Sequence, residues 1–525
     1  MLRQFRAAVR ELVAFYWPFL LVYALVKIAQ GVLYPDPYMI SDTGEYLNSA
    51  RTLETNPYKP IGYSLFLAFT RLILPFPLGV TILHSLLKLI ATLCLGTALR
   101  QYYDISRRVV LLVCVTIAIN PTALLFDHYL LSDSLFVSFS VGLIAALLAY
   151  ARRQTWLYLS ATIALTLGAV ALRFVGLVYP ALLCAAILLY GGKQRVRHAL
   201  VVPVTTAALL LGLAARTQHD LGVFKLTTFD GWAFHGTIGH LLERDWNDLN
   251  LIDDPEAKLV YSYLLSFPLE TFHGRHRDFF RWHPESPAKN LLNVFQPITE
   301  RPNDTQARRD SSFIIVFMAL AESPNTPAQE LFEKYRNKKL AKLPPYVMDY
   351  RYAFIVTNEL LRKTNKEFMK QHWRRYLTDF YATSIRKLFL PLEPPIVRGG
   401  YPYRESSDQS VVLFWPGEQS SDWRPRFGDA FGAIKWTHQW FVTCMWVVAL
   451  HAFLFALTRR KALGIPWPRF LTGFGVLFLA FAVAFGAMVA YSHMMEVRYT
   501  APITPFAIVA TVFLYLSPQA PGQQS

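Results

Sequence analysis

Three side chains suited to acid–base chemistry stand close together early in the chain. Asp42, Glu45 and Tyr46 are three and four residues apart, so on a helix they would share one face. A carboxylate pair on one face can transfer protons or bind a ligand when it faces a cavity. The alternative is a solvated loop in which Ser41 or Asp42 only caps a helix.

A second acidic group occurs where one long apolar run gives way to the next. Asp127, His128, Ser132 and Asp133 all lie in this short stretch. Carboxylates at the edge of an apolar bundle are costly if they face lipid, so we expect them to point to a water-filled interior or to a partner. The alternative is that Ser132 or Asp133 merely caps the helix that follows.

Two arginines accompany apolar runs further along the chain. Arg173 stands between two such runs, and Arg498 with Tyr499 opens the last one, shortly after Glu496. An arginine at membrane depth costs about 2.5–3.5 kcal/mol, so each one calls for an anionic partner. A protein carboxylate such as Glu496 would make these arginines structural, whereas a bound lipid phosphate would make them functional.

Other chemical signals are weak. His273, His276 and His283 fit no zinc-binding spacing, and we assign no metal ligands. The four cysteines lie singly in apolar runs, as small buried residues do. The sequence contains no phosphate-binding P-loop, no G-x-S-x-G and no H-E-x-x-H motif.

The composition places the chain in a membrane. It has 525 residues, a mean hydropathy of +0.27 and 53% hydrophobic residues. Only 17% of the residues are charged, whereas soluble chains average about 25%. A soluble enzyme, a disordered chain and a disulfide scaffold are therefore excluded.

The predicted fold class is an α-helical polytopic membrane protein with about ten spans and a large extracytoplasmic domain that is mostly helical or mixed. About 20 apolar residues are needed to cross a bilayer. The ten stretches that meet this length are 12–33, 80–99, 109–126, 130–150, 155–172, 174–191, 199–215, 437–457, 467–490 and 500–516. The shorter run 61–74, bounded by prolines, is predicted to lie at the interface.

The distribution of basic residues predicts the orientation. With the N-terminus inside, the cytoplasmic loops collect fifteen lysines and arginines and only two acids. Both termini are then cytoplasmic, and the membrane is expected to be a bacterial inner (cell) membrane. The positive charge, +16 in total, is divided among loops and forms no stripe for nucleic acid.

This topology divides the chain into three parts. Residues 1–215 form an N-terminal transmembrane module whose first outer loop, 34–79, carries the candidate catalytic acids. Residues 216–436 form the extracytoplasmic domain, with a helix start predicted at 326–330 and a basic, aromatic helix over 345–389 that suits lipid headgroups. Residues 437–525 form the C-terminal transmembrane module.

In five motifs the chain resembles the GT-C superfamily of membrane glycosyltransferases, in particular the branch of protein mannosyltransferases and aminoarabinose transferases. The resemblance covers about residues 1–200 and 437–516. The motifs are D-x-x-x-Y (Asp42, Tyr46), K-P-x-G-Y (Lys59, Pro60, Gly62, Tyr63), N-P followed by S-D (Asn120, Pro121, Ser132, Asp133), R-x-x-G-L (Arg173, Gly176, Leu177) and E-x-R-Y-x-x-P-x-x-P (Glu496, Arg498, Tyr499, Pro502, Pro505). Many members have two adjacent acids where this chain has Asp42 and Thr43, and a Glu where it has Asp133.

The resemblance implies an inverting transfer of a sugar from a polyprenyl-phosphate donor to a hydroxyl of a lipid, glycan or protein acceptor at the outer face. Asp42 would be the general base, and Arg173 and Arg498 would hold the departing phosphate. Metal independence or the help of a divalent cation, Mg²⁺ or Mn²⁺, both remain open. The predicted catalytic residues are Asp42, Glu45 and Asp133, and the predicted substrate-binding residues are Tyr46, Lys59, Asp127, His128, Arg173, Glu496, Arg498 and Tyr499.

Two other functions stay open at this point. A transporter or flippase would use charged groups as a substrate path, but the ionisable residues noted above cluster at the outer ends of spans, and no paired broken helices are evident. A non-catalytic scaffold would bind a partner through its large outer domain.

Overall fold

The computed structural model describes most of the chain outside the large central segment. The described residues are 2–33, 37–39, 41–57, 59–238, 252–254, 257–258, 260–261, 264, 286, 288–289, 291–292, 348–389, 401–402, 430–466, 473–492 and 500–516.

These residues are mostly helical. The helices are α1 (Leu2–Leu33), α2 (Ser41–Thr52), α3 (Gly62–Ile73), α4 (Leu78–Tyr103), α5 (Arg107–Ala118), α6 (Pro121–Asp127), α7 (Asp133–Arg153), α8 (Trp156–Leu172), α9 (Tyr179–Tyr190), α10 (Arg195–Leu221), α11 (Asp230–Ile238), α12 (Met348–Arg375), α13 (Ala382–Phe389), α14 (Ala430–Ala462), α15 (Phe474–Ser492) and α16 (Thr504–Leu516). Short 3₁₀ helices at Phe174–Val178 and Gly192–Gln194 precede α9 and α10, and a π-helical turn at Tyr376–Tyr381 joins α12 to α13.

Five of the described helices are long and apolar enough to cross a membrane. They coincide with predicted spans and cover Arg10–Val32, Leu78–Tyr103, Asp133–Arg153, Gly192–Leu221 and Trp440–Ala462. The chain is therefore consistent with an α-helical membrane protein. Four more predicted spans fall on apolar helices of 10 to 17 residues, Trp156–Leu172, Phe174–Tyr190, Phe474–Ala490 and Thr504–Leu516.

The predicted span 109–126 is broken in the structure. α5 and α6 together pass the length test, but the chain bends by 53° between them. Pro121 is the first residue of α6, where a missing N–H costs nothing, and the Asn120 side chain accepts hydrogen bonds from Thr122 N and Ala123 N at 3.0 and 3.4 Å. The Asn-Pro pair thus starts a new helix inside the apolar run.

α7 lies at the centre of the bundle. Its apolar side chains are buried against α4 and α8, and Ser138 and Ser140 bond to carbonyls one turn earlier in the same helix. Many side chains of α1 and α10 are exposed, including Leu25, Ile28 and Leu200. Apolar side chains on the outside of a bundle are suited to contact with lipid tails.

The short strand before α2 is bound at two places. The β1 strand (Tyr38–Met39) pairs antiparallel with β2 (Tyr401–Pro402), and Tyr38 also bonds to the turn between α6 and α7. Its N–H donates to His128 O at 2.8 Å, and its carbonyl accepts from Leu130 N at 3.0 Å. The helix that the sequence predicts to carry the first acids therefore starts from a fixed point.

The predicted interfacial run 61–74 forms α3, which is too short to span. Its first residue, Gly62, lies against the end of α8, where a Cβ atom would be 2.5 Å from Ala171 O. On its other side Phe69, Leu72 and Ile73 are exposed. α3 therefore packs on α8 with one face and leaves an apolar face outside the protein.

Within the segment 216–436, α11 packs against α12. The predicted helical run over 345–389 is confirmed for Met348–Phe389, with a kink at His372 and the π-helical turn, while the helix start at 326–330 lies outside the described residues. The buried side chains of α12, among them Phe354, contact α11 around Trp232 at a ring distance of 5.3 Å. Asn358 binds both Trp232 N and the Asp230 carboxylate, each at 2.9 Å. The part of α12 around Phe354 and Asn358 is thus covered by α11.

Replacing Gly62 by Ala tests the α3–α8 contact. The added methyl group would overlap a backbone oxygen, so we expect a destabilisation of about 1–3 kcal/mol in unfolding of the detergent-solubilised protein. Gly212→Ala is the matched control, because nothing lies within 4 Å of its Cβ position, and alanine favours a helix by up to about 1 kcal/mol. Equal stability of the two variants would contradict the close packing.

His235 makes the stability of the packed α11–α12 pair depend on pH. Burial lowers the pKa of this α11 imidazole to about 4, whereas a free histidine titrates near 6.5. The free energy of unfolding is therefore at its full value above pH 6.5. It decreases as the pH falls towards 4, because the unfolded chain takes up the proton first. Between pH 7.5 and 5 we expect a loss of roughly 2 kcal/mol that His235→Gln abolishes. In the control His219→Gln, whose imidazole is exposed, the loss should persist.

Candidate active site

Asp42 lies in the first turn of α2 and is bound by Lys59. The lysine Nζ is 2.9 Å from Asp42 Oδ1 and donates to the Asp42 carbonyl at 3.0 Å. The lysine side chain is buried, whereas the aspartate side chain remains 30% exposed. A carboxylate in this setting is oriented by its cation and can still be reached from solvent.

Tyr46 joins this ion pair to the α6–α7 turn. Its ring lies under the Lys59 ammonium group at 4.5 Å and edge-to-face with Tyr63 at 4.8 Å. Its hydroxyl is 3.1 Å from Ser132 Oγ, and on the same helix Thr43 donates to Leu130 O at 3.3 Å. The predicted arrangement of Asp42, Glu45 and Tyr46 on one helix is confirmed, since all three belong to α2.

The loop after α2 is fixed at both of its sides. Asn56 donates to the Glu45 carboxylate at 2.8 Å and accepts from Lys59 N at 3.1 Å. Thr55 bonds through its backbone and side chain to Asp220 at the end of α10, at 2.9 and 2.7 Å. These bonds fix Thr55 and Asn56 in the part of the loop that precedes the Lys59–Asp42 contact.

Arg173 pairs with Asp133. The arginine follows α8, the aspartate is the first residue of α7, and both side chains are largely buried. The sequence left a protein carboxylate such as Glu496 and a lipid phosphate as candidate partners. Among the described residues the partner is Asp133, from a part of the chain 40 residues away. Phe136 lies beside the guanidinium group at 5.9 Å.

Ser132 does not cap α7 with its side chain, which was one of the alternatives from the sequence. Its hydroxyl meets Tyr46 instead. Three successive contacts therefore lead from Asp42 through Lys59 and Tyr46 to Ser132, the residue before the Asp133–Arg173 pair. Five predicted site residues, Asp42, Tyr46, Lys59, Asp133 and Arg173, are brought together along this path.

Asp127 is completely enclosed. It ends α6 and forms ion pairs with Lys27 of α1 and Lys88 of α4, both through Oδ2. Its Oδ1 accepts from Ser134 at 2.6 Å. His128 follows it, and its carbonyl bonds to Tyr38. These contacts favour a structural task for the turn, and substrate binding by Asp127 and His128 stays a prediction.

Lys27 and Lys88 were not among the site residues predicted from the sequence. Each stands alone in an apolar run, and single lysines inside spans were not followed up although they are costly there and therefore informative. Lys88 is fully buried and lies ten residues after Leu78, about 15 Å along α4. Contrary to our expectation, the ionisable residues are thus not confined to the outer ends of spans.

The last predicted group lies outside the described residues. It consists of Glu496, Arg498 and Tyr499, and the described chain resumes at Thr500. Their roles therefore stay predictions.

The acids do not form a metal site in the described part of the chain. No group of three His, Cys, Asp or Glu residues there could hold an ion. Each candidate carboxylate already has a donor: Lys59 for Asp42, Asn56 for Glu45 and Arg173 for Asp133. The described residues do not fit a Mg²⁺ or Mn²⁺ site, and the help of a divalent cation stays a prediction from the resemblance.

Comparisons with protein-family models, with curated proteins and with solved structures give no match to this chain. The site is therefore interpreted from its own geometry.

A double-mutant cycle tests the Asp133–Arg173 pair. Arg173→Met leaves a buried carboxylate without its cation, so we expect a loss of about 3–5 kcal/mol in unfolding of the solubilised protein. Adding Asp133→Leu should restore most of that stability, because no unpaired charge then remains. Arg100→Met is the control, since it breaks an exposed pair with Glu11 and should cost at most about 1 kcal/mol. Additive losses in the double variant would contradict the pairing.

Proposed function

We propose that this protein is an inverting membrane glycosyltransferase, which moves a sugar from a polyprenyl-phosphate donor to an acceptor hydroxyl. The observation that carries the proposal is the partly exposed Asp42 carboxylate, held by Lys59 and joined through Tyr46 to the turn that bears Asp133 and Arg173. A carboxylate and two cations thus lie along one path of contacts through the turn between α6 and α7. The resemblance to GT-C enzymes rests on the same residues.

The reaction assigns a separate task to each group. Asp42 accepts the proton of the acceptor hydroxyl, and the freed oxygen forms a bond to the anomeric carbon of the sugar. The bond from that carbon to the phosphate oxygen breaks on the opposite face, and the phosphate leaves with the electron pair. Lys59 and Arg173 then meet the charge that develops on the phosphate.

The pairing of Arg173 with Asp133 bears on how the phosphate is held. A guanidinium group has five donors, so it can retain one carboxylate and still bind a phosphate oxygen. Asp133 then orients Arg173. In this assignment Glu45 positions the loop through Asn56.

The proposed reaction takes place on the extracytoplasmic side of the membrane. Ten spans with both termini in the cytoplasm, as the loop charges predict, put α2 and the outer segment on the extracytoplasmic side of a cell membrane. A lipid-linked donor is suited to that side, since it requires no nucleotide there. The acceptor would be a lipid, a glycan or a protein, in contact with the segment 216–436.

A transporter or flippase remains the second candidate, and one observation favours it. The broken helix α5–α6 and the buried Lys88 at depth are features that transporters use around a substrate. Among the described helices there is one such break and no counterpart in the C-terminal module. For this reason we place the transferase first.

Replacing Asp42 by Asn tests the transferase. With the base removed, transfer of labelled sugar from a polyprenyl-phosphate donor in proteoliposomes should fall by about 10²–10⁴-fold, while the amount of folded protein stays the same. Glu54→Gln is the matched control, because it removes a carboxylate from the same outer loop outside the proposed site, and it should leave the rate within about twofold.

Full turnover by the Asp42→Asn variant would remove Asp42 from the mechanism. Movement of the labelled lipid between leaflets of the same proteoliposomes, without any covalent product, would replace the transferase by the flippase.

A further inference from the structure

Two lysines and one aspartate meet inside the helical bundle. Lys27 comes from α1, Lys88 from α4 and Asp127 from the end of α6, and both ammonium groups bind the same oxygen, Oδ2. We call these three residues the Lys–Asp–Lys cluster. The other carboxylate oxygen is taken by Ser134 at 2.6 Å.

Among the described residues, the cluster has one positive charge in excess. Its remaining contacts are neutral: Lys27 donates to Gln30 Oε1 at 2.9 Å, and Lys88 donates to Ala123 O at 3.2 Å. The His84 Nδ1 atom lies 3.4 Å from the Asp127 carbonyl oxygen, and this imidazole contributes no negative charge. An uncompensated cation within an apolar layer is costly, so the site favours a second anion.

Lys27 is the side of the cluster that a ligand can reach. Its side chain is 17% exposed, whereas those of Lys88 and Asp127 are 0% and 2% exposed. Ala24 and Gly31, on the same face of α1 as Lys27, and Ile28 beside it are exposed on the outside of the bundle. An anion approaching Lys27 therefore comes from the surface that we assign to lipid, and an attached alkyl chain could lie along α1.

We propose that the Lys–Asp–Lys cluster binds the phosphate group of an anionic lipid at the junction of α1, α4 and α6. Lys27 contacts the phosphate directly, and Lys88 contributes its charge from behind. Asp127 holds the two ammonium groups together and limits the strength of binding by its own negative charge. The proposal goes beyond the transfer reaction and does not rest on it, because binding requires no turnover.

The direction in which Asp127→Asn changes the affinity for phosphate distinguishes this binding site from a purely structural ion pair. Removal of the carboxylate raises the excess charge from one to two, so phosphate binding should become about tenfold tighter. In a structural cluster the same change would only weaken the packing. Lys27→Gln cancels the excess charge and should weaken binding about tenfold, whereas Lys27→Arg should retain it.

The experiment is a ³¹P NMR titration of the full-length protein in a non-ionic detergent, with dodecyl phosphate and inorganic phosphate as separate probes. We expect dodecyl phosphate to bind at least about tenfold more tightly than inorganic phosphate, because only the former contacts both the lysine and the apolar surface of α1. The control is Lys193→Gln, which removes an exposed lysine of the 3₁₀ helix before α10 and should leave the phosphate affinity unchanged.

The proposal is overturned if Lys27→Gln binds dodecyl phosphate as the unaltered protein does, or if inorganic phosphate binds equally well. It is also overturned if Asp127→Asn folds and binds more weakly. If Asp127→Asn does not fold, the comparison of Lys27→Gln with Lys27→Arg decides, because Lys27 is partly exposed and both variants keep the buried pair of Lys88 and Asp127. Loss of sugar transfer with normal phosphate titration would affect only the proposed function.

Discussion

Two buried carboxylates at one turn organise this bundle. Asp127 ends α6 and Asp133 begins α7, and in an apolar surrounding each must find a cation. Asp127 takes Lys27 from α1 and Lys88 from α4, and Asp133 takes Arg173 from the end of α8. Three separate parts of the N-terminal chain are thereby tied to one short turn.

β1 and α2 are anchored to the same turn. Tyr38 bonds to its backbone at His128 and Leu130, and α2 contacts it through Thr43 and Tyr46. Asp42 and Lys59 are consequently held next to the turn and not in a loose loop. The position of the candidate base therefore depends on ion pairs that lie deeper in the bundle.

The helices could be predicted from the sequence more accurately than the tertiary contacts between them. Hydropathy over about 20 residues located the apolar helices, and the spacing of Asp42, Glu45 and Tyr46 predicted their shared helix, since both signals are local. The break after Ala118 was missed because Asn120 and Pro121 were interpreted as a family motif, although the same pair is a helix start.

Partners distant in the chain were the least predictable. Nothing in the spacing of Arg173 connects it with Asp133, so Glu496 and a lipid phosphate were equally open. Lys27 and Lys88 were missed because a single lysine does not disturb the average hydropathy of a span. The cost of a charge inside an apolar span is the signal that indicates a buried anionic partner for Lys88.

The central claim is that the base and the phosphate-binding cations belong to one pocket. It is tested most directly by a cryo-EM structure of the protein in lipid nanodiscs with a non-transferable polyprenyl-phosphate sugar analogue. The account predicts the phosphate within about 4 Å of Lys59 or Arg173 and the sugar facing Asp42. A phosphate bound elsewhere, or an Asp42 more than about 15 Å from the sugar, would contradict it.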